Sequence, residues 1–215
     1  MEGDNSVILL NPVETRVLGA LVEKEVTTPE YYPLSMNALI NACNQKNNRE
    51  PVLNLDEDAV RLALRGLEDD GLARPSRGDS RVTKYEHHLQ EVFNFTRGET
   101  ALMCVLFLRG PQTPGELRGR TERMFRFEEL DDVVGALQRL MQRDPPLVKA
   151  LPRQPGTKEI RYAHLLSGDV ETAEVVETGV VAASDDDRVA RLEREVADLR
   201  REVAELKDKV ERLLS

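Results

Sequence analysis

Few residues in this chain are able to do covalent or metal chemistry: two cysteines and three histidines among 215 residues. Cys43 and Cys104 each fall on an apolar helical stripe. There a free thiol packs as a small hydrophobe in a reducing compartment. The histidines and cysteines show no C-x₂-C or H-E-x-x-H spacing. Gly156-Thr157-Lys158 stands in the wrong order for a phosphate loop. Carboxylates are abundant, yet no pair is set apart as an acid and a base. The residues therefore imply no enzyme, no cofactor and no metal.

The other chemistry on offer is recognition of a charged partner. Gln138, Arg139, Gln142 and Arg143 share one helical side and are types that hydrogen-bond base edges and phosphates. Arg118, Arg120, Arg123 and Arg126 precede them, and Arg153 and Lys158 follow in a turn. An earlier turn offers Arg77, Arg81 and Lys84. The net charge of −9 seems to oppose a polyanion, but it is unevenly spread. Residues 1–95 carry −6, 96–166 carry +3, 167–187 carry −7 and 188–215 carry +1. The basic excess falls on the segment that holds the Gln/Arg cluster. With nine aromatics and no Trp, stacking on single strands is not expected.

The elements that must position these residues can be read in order. Asn11-Pro12-Val13-Glu14 is a helix start with a capping box and Pro at its first position. Val13, Val17, Leu18 and Leu21 give its apolar stripe, and Thr28-Pro29 ends it. A second helix from about Ser35 places Met36, Leu39, Ile40 and Cys43 at i, i+3, i+4, i+7. A third from near Asp56 buries Val60, Ala63, Leu64 and Leu67 and stops at Gly71. Leu72 to Arg74 and Arg81 to Glu86 read as a short strand and its return. Three helices and a hairpin make a winged helix, a helix-turn-helix variant.

The pattern then repeats. Thr96-Arg97-Gly98-Glu99 is a second capping box, and at an offset of 85 Leu102, Met103 and Leu106 fall on Val17, Leu18 and Leu21. Thr113-Pro114 falls on Thr28-Pro29. Later the offset drops to 73, where Val133, Ala136, Leu137 and Leu140 match the third-helix core. His87 and His164 occupy matching places in the closing strands, which implies a shared structural role. The change in offset gives the first repeat about twelve extra residues, Asn44 to Leu55. In that insertion Lys46, Asn47, Asn48 and Arg49 either meet a partner or belong to a loop folded on its own amides. The first repeat's third helix is a poor DNA reader, because Glu57 and Asp69 stand four residues from Arg61 and Arg65.

The chain closes on a heptad repeat. Val189, Leu192, Val196, Leu199, Val203, Leu206, Val210 and Leu213 alternate spacings of three and four. Val at every a and Leu at every d favours a parallel two-stranded coil. Parallel pairing also sets Arg188 against Glu193, Glu195 against Arg200 and Glu202 against Lys207 of the second copy. The segment before it, 167–187, has seven acidic and no basic residues and reads as a solvated spacer. The domain reading is a tail at 1–10, winged helices at 11–90 and 91–166, a linker at 167–187 and a coil at 188–215. The longest apolar run, Ala101 to Leu108, is too short to span a membrane, and the start lacks a signal-peptide pattern. A cytoplasmic location is expected.

The stretches Tyr32 to Leu39, Asn41 to Val52, Arg81 to Glu86 and Leu108 to Arg118 resemble the signature segments of the YceH-like family of bacterial proteins. The resemblance runs from about Leu10 through the coil. The elements read in order make a mainly α fold with small β-hairpins; the resemblance implies tandem winged helices and a bacterial cytoplasmic setting, and it carries no activity and no site residues with it. From the residues themselves, the expected function is a homodimeric duplex-DNA-binding protein of transcription-regulator type. It would read DNA through the third helix and wing of the second repeat. The alternative is a protein-interaction adaptor that uses winged helices as docking modules, with a partner on the first repeat.

Overall fold

A computed structural model describes residues 8–76, 82–153 and 159–168. Arg77, Arg81, Lys158, the acidic spacer from residue 169 and the heptad repeat Val189–Leu213 lie outside the described residues. Two compact units divide the chain, Met1–Thr172 and Ala173–Ser215, and every described residue belongs to the first.

Helix α1, Pro12–Thr27, starts where the Asn11 side chain accepts from the Val13 and Glu14 N–H groups at 2.9 and 3.0 Å. Glu14 closes the box by accepting from the Asn11 N–H at 2.8 Å. A single 3-10 turn, Pro29–Tyr31, leads to β1, Leu34–Ser35, and to α2, Met36–Cys43, capped by Ser35. Helix α3, Glu57–Asp69, is capped by Asp56 at 2.9 Å and stopped by Gly71, whose φ of +69° favours glycine. Strands β2, Ala73–Ser76, and β3, Lys84–His87, are antiparallel, and β1 adds to β3 with Leu34 opposite Tyr85. The sheet order is β1-β3-β2. A short helix α4, Leu89–Phe93, then carries the chain onward.

The second half repeats the order. Helix α5, Arg97–Arg109, opens on the Thr96/Glu99 box, and α6, Pro114–Thr121, on the Thr113/Glu116 box. Helix α7, Leu130–Met141, buries Val133, Ala136, Leu137 and Leu140, and β4, Val148–Ala150, pairs with β5, Tyr162–His164. Gln112 bridges to Tyr162 just before α6, as β1 meets β3 just before α2. The fold class is thus mixed, with helices dominant and small antiparallel sheets beside them.

One hydrophobic core serves both halves. Helix α5 is buried from Gly98 to Leu108 on every side, as an apolar run without a polar stripe requires. Its main neighbour is α1, and the two meet closely at Gly19. A Cβ on Gly19 would lie 2.9 Å from Leu108 Cδ2 and 3.0 Å from Phe107 Cβ. At the same crossing the Cys104 thiol donates to the Gly19 carbonyl at 3.4 Å. The chain's two ends of this unit also meet: the Leu10 N–H donates to the Leu166 carbonyl at 2.6 Å, and the Thr15 and Ser167 hydroxyls lie 2.9 Å apart.

Candidate functional site

The insertion between α2 and α3 is a tied loop. The Asn44 side chain donates to the Leu55 carbonyl and accepts from the Leu55 N–H, both at 2.8 Å, and so clamps its two ends. Arg49, for which the sequence left partner contact and a self-tied loop both open, is buried. Its guanidinium donates to both Glu23 carboxylate oxygens at 3.2 and 2.6 Å and to the Ala42 carbonyl at 2.9 and 3.1 Å. A second buried arginine, Arg16 of α1, donates to the Cys43 carbonyl at 3.1 Å and the Pro51 carbonyl at 2.6 Å. A guanidinium is rarely buried without such partners, because its desolvation must be offset by charge-assisted bonds. Burial and the like charge of Arg49 both push the Arg16 pKa down. Burial alone would raise the Glu23 carboxyl, but the hydrogen bonds and charge of Arg49 and Lys24 bring it below its ordinary value. Lys46, Asn47 and Asn48 remain exposed at the loop's tip. The loop also bridges the halves: the Glu50 N–H donates to the Leu108 carbonyl at 2.8 Å, and Arg109 donates to the Asn48 side chain.

The arginines of the second half divide into engaged and free. Arg139 pairs with Glu99 at 3.2 Å. Arg143 turns back to donate to the Phe93 and Asn94 carbonyls at the end of α4, and its guanidinium lies 4.9 Å above the Phe95 ring. Arg118 donates to the Phe127 and Glu128 carbonyls and so holds the turn that leads into α7. Arg120 sits 3.5 Å from Glu116. Gln138, Gln142 and Arg153 are exposed, and Lys84 is half-buried within β3. In the first half Arg61 pairs with Glu57 on α3 as its spacing implies, whereas Arg65 makes no ion pair among the described residues.

The exposed first turns of both third helices are acidic. Asp56, Glu57 and Asp58 open α3, and Glu128, Glu129, Asp131 and Asp132 surround the start of α7. They suit the positive end of a helix dipole. The positive charge gathers elsewhere, in a groove between the loop, the last turns of α1 and α5, and the end of α6. Two adjoining cavities of about 320 Å³ each share Glu23, Thr27, Asn48 and Arg123 as walls.

The two matched histidines hold the same strand position with different partners. His87 Nε2 lies 2.9 Å from Glu25, and its Nδ1 accepts from the Leu89 N–H at 3.2 Å. His164 instead meets the Phe107 ring edge-on at 5.0 Å, and its Nδ1 is buried with no hydrogen-bond partner among the described residues. Burial lowers its pKa to about 4. Both cysteines are free and buried, and burial pushes the Cys43 thiol up to about 12. Among the described residues, three or more His, Cys, Asp or Glu side chains nowhere gather so as to hold a metal ion. No helix among them is long and apolar enough to cross a membrane.

Sequence reasoning overlooked Arg16, Glu23 and Arg109. One signal was present: Arg16 directly precedes the apolar run Val17 to Val22, a placement that favours a buried partner.

Two helical halves, each with its own small antiparallel sheet and joined through one core, make a mixed α/β protein. The chain belongs to the family described as "Protein of unknown function, DUF480", whose model matches residues 10–157. It is 59% identical over 191 residues to a UPF0502 protein of Koribacter versatilis, covering 88% of this chain and 89% of that one. Over 189 residues it is 57% identical to a UPF0502 protein of Solibacter usitatus, covering 87% and 91%. A UPF0502 protein of Citrifermentans bemidjiense is 52% identical over 189 residues, with 87% and 88% covered. The bacterial family expected from the signature segments is thereby established.

Proposed function

We propose that this chain is a tandem winged-helix docking protein, paired through the coil Val189–Leu213, that offers acidic helix ends to a basic protein partner. Support for the winged-helix reading comes from the repeated order of helix, short strand or bridge, two helices and a strand pair. A winged helix that reads DNA places the N-terminal residues of its third helix against base edges. In this chain those residues are Asp56 to Asp58 and Glu128 to Asp132, all exposed and, Leu130 apart, all acidic. Carboxylates there repel phosphate and attract lysine and arginine. That observation carries the reading. Arg139 and Arg143, committed to Glu99 and to α4, point the same way.

DNA binding is the second reading. It rests on exposed Gln138, Gln142 and Arg153, which would approach a duplex with the later turns of α7 and the wings. Titrating the full chain into a labelled duplex of several helical turns at physiological salt separates the two. The docking reading expects a dissociation constant weaker than about 10⁻⁴ M, the weak end of non-specific binding. It also expects duplex affinity to rise when Glu128, Glu129, Asp131 and Asp132 become amides. Tight wild-type binding that falls steeply with salt would establish the DNA reading instead. For the partner itself, nuclease-treated native extract is passed over wild type and over E57Q/D58N. A stoichiometric protein retained by the first and lost by the second is the expected result.

A further inference from the structure

We infer that the groove between the loop tip, the end of α5 and the end of α6 is a binding site for a nucleotide-like anion, a phosphate chain carried on a flat apolar group. This site lies apart from the acidic helix ends and does not depend on the docking reading. One cavity has Val105, Leu108 and Met124 as an apolar floor with Arg109 and Arg120 beside it. The other is polar and adds Lys24 and Lys46. Arg123 walls both, so an elongated ligand would meet cations along its length.

The charges there are in excess of what the fold uses. Glu23 is taken by Arg49 at 2.6 Å, and Glu116 is shared by Arg120 and Arg161 at 3.5 Å each. Arg123 and Lys46 make no ion pair among the described residues. Cations also complement helix C-termini, and α1, α5 and α6 all end on this groove. Three such ends supply only roughly −1.5 elementary charges together. Glu50 and Glu122 supply one each, against Lys46, Arg109 and Arg123, with Lys24 as a second cation 3.5 Å from the Glu23 that Arg49 already holds. The remaining positive charge calls for a mobile anion. Burial, then the repulsion of Arg120, lowers the Arg109 pKa against the pull of Glu50 and Glu23. The Asn48 backbone, at a φ of 60°, is fixed in a conformation that asparagine tolerates. Its side chain accepts from Arg109, which orients that guanidinium at the groove.

The 320 Å³ of each cavity suits a mononucleotide rather than a polymer. The flat group would lie on the apolar floor under Arg109, and the phosphates would run toward Arg123 and Lys46. The step is binding alone, with charge-assisted hydrogen bonds and no covalent change.

Calorimetry on the full chain with ATP, tripolyphosphate and a single-stranded adenine oligonucleotide tests this. ATP is expected to bind about tenfold more tightly than tripolyphosphate, and R123Q to weaken ATP by about tenfold or more. R123Q should leave thermal stability without ligand unchanged or higher, because it removes repulsion at an exposed site. K46Q should weaken ATP to a smaller degree. Equal affinity for ATP and tripolyphosphate, or for wild type and R123Q, overturns the proposal. So does an oligonucleotide that binds more tightly than ATP. Absence of ATP binding together with a stability loss in R123Q would show that these cations serve only the helix ends.

Discussion

Arg49 and Glu23 sit where water barely reaches, with the Arg49 side chain 0% exposed and that of Glu23 12% exposed. Removing one member of such a pair leaves a buried charge alone and costs about 3–5 kcal/mol. E23Q and R49A are each expected to lower unfolding free energy by that order in urea titrations monitored by circular dichroism. Because the folded Glu23 carboxyl ionises below its unfolded value, its stabilisation is present above the unfolded pKa. It is lost as pH falls through the folded one. E23Q should therefore lose less stability than wild type on acidification. His164 adds a second loss of stability on acidification, at higher pH and from burial rather than from a broken ion pair. Its folded pKa of about 4 lies below the unfolded value of 6.5, so only the unfolded chain takes up a proton between them. Across that window His164 costs up to about 1.4 kcal/mol per pH unit, and below it the cost levels off. H164Q is expected to flatten the difference between urea midpoints at pH 7 and pH 5. An unchanged difference would mean that the imidazole is protonated inside the fold.

At the scale of elements, the α1–α5 crossing at Gly19 leaves little room. Alanine is the better helix former by about 1 kcal/mol. Here, however, its methyl meets Leu108 and Phe107 at 2.9–3.0 Å. Overpacking of this kind costs about 1–3 kcal/mol, so G19A should lower the melting temperature despite its propensity. A capping change has a simpler sign: T113A removes the Thr113 hydroxyl from the Glu116 N–H and should cost about 1 kcal/mol. Helix starts were the most legible features of the sequence. Asn11, Thr96 and Thr113 each announce a box that depends only on neighbours three residues away. The third-helix cores were legible for a similar reason, since burial follows period. Strand β1 and helix α4 were not, because two to five residues acquire their form only from the sheet or helix they meet. The loop's amides were readable as self-tying or partner-facing. What decided the outcome for Arg49 was Glu23, a residue distant in sequence with no periodic relation to it. The basic groove was likewise hidden, because its walls come from four separate segments.

At the scale of the whole molecule, the proposed pairing through the heptad repeat Val189–Leu213 has a direct test. Placing an aspartate at two d positions, L199D/L206D, is expected to convert a dimer into a monomer in sedimentation velocity at low micromolar concentration. A variant that stays dimeric would move the dimer contact into residues 8–168. Within those residues, the shared core ties the fate of the halves together. Helix α5 has no face of its own for solvent, since its surroundings include α1. Heat or urea should accordingly melt the unit Met1–Thr172 in one transition, and scanning calorimetry with matching van't Hoff and calorimetric enthalpies checks it.

The narrow crossing at Gly19 has an evolutionary corollary. If the halves arose by copying one ancestral helical unit, the copies lost their independence when α1 and α5 came to share a seam. From then on, a larger residue at position 19 was admissible only with a smaller one at 107 or 108. The lineage would inherit the halves as one unit, and shuffling either into another protein would strand an apolar helix without its counterpart.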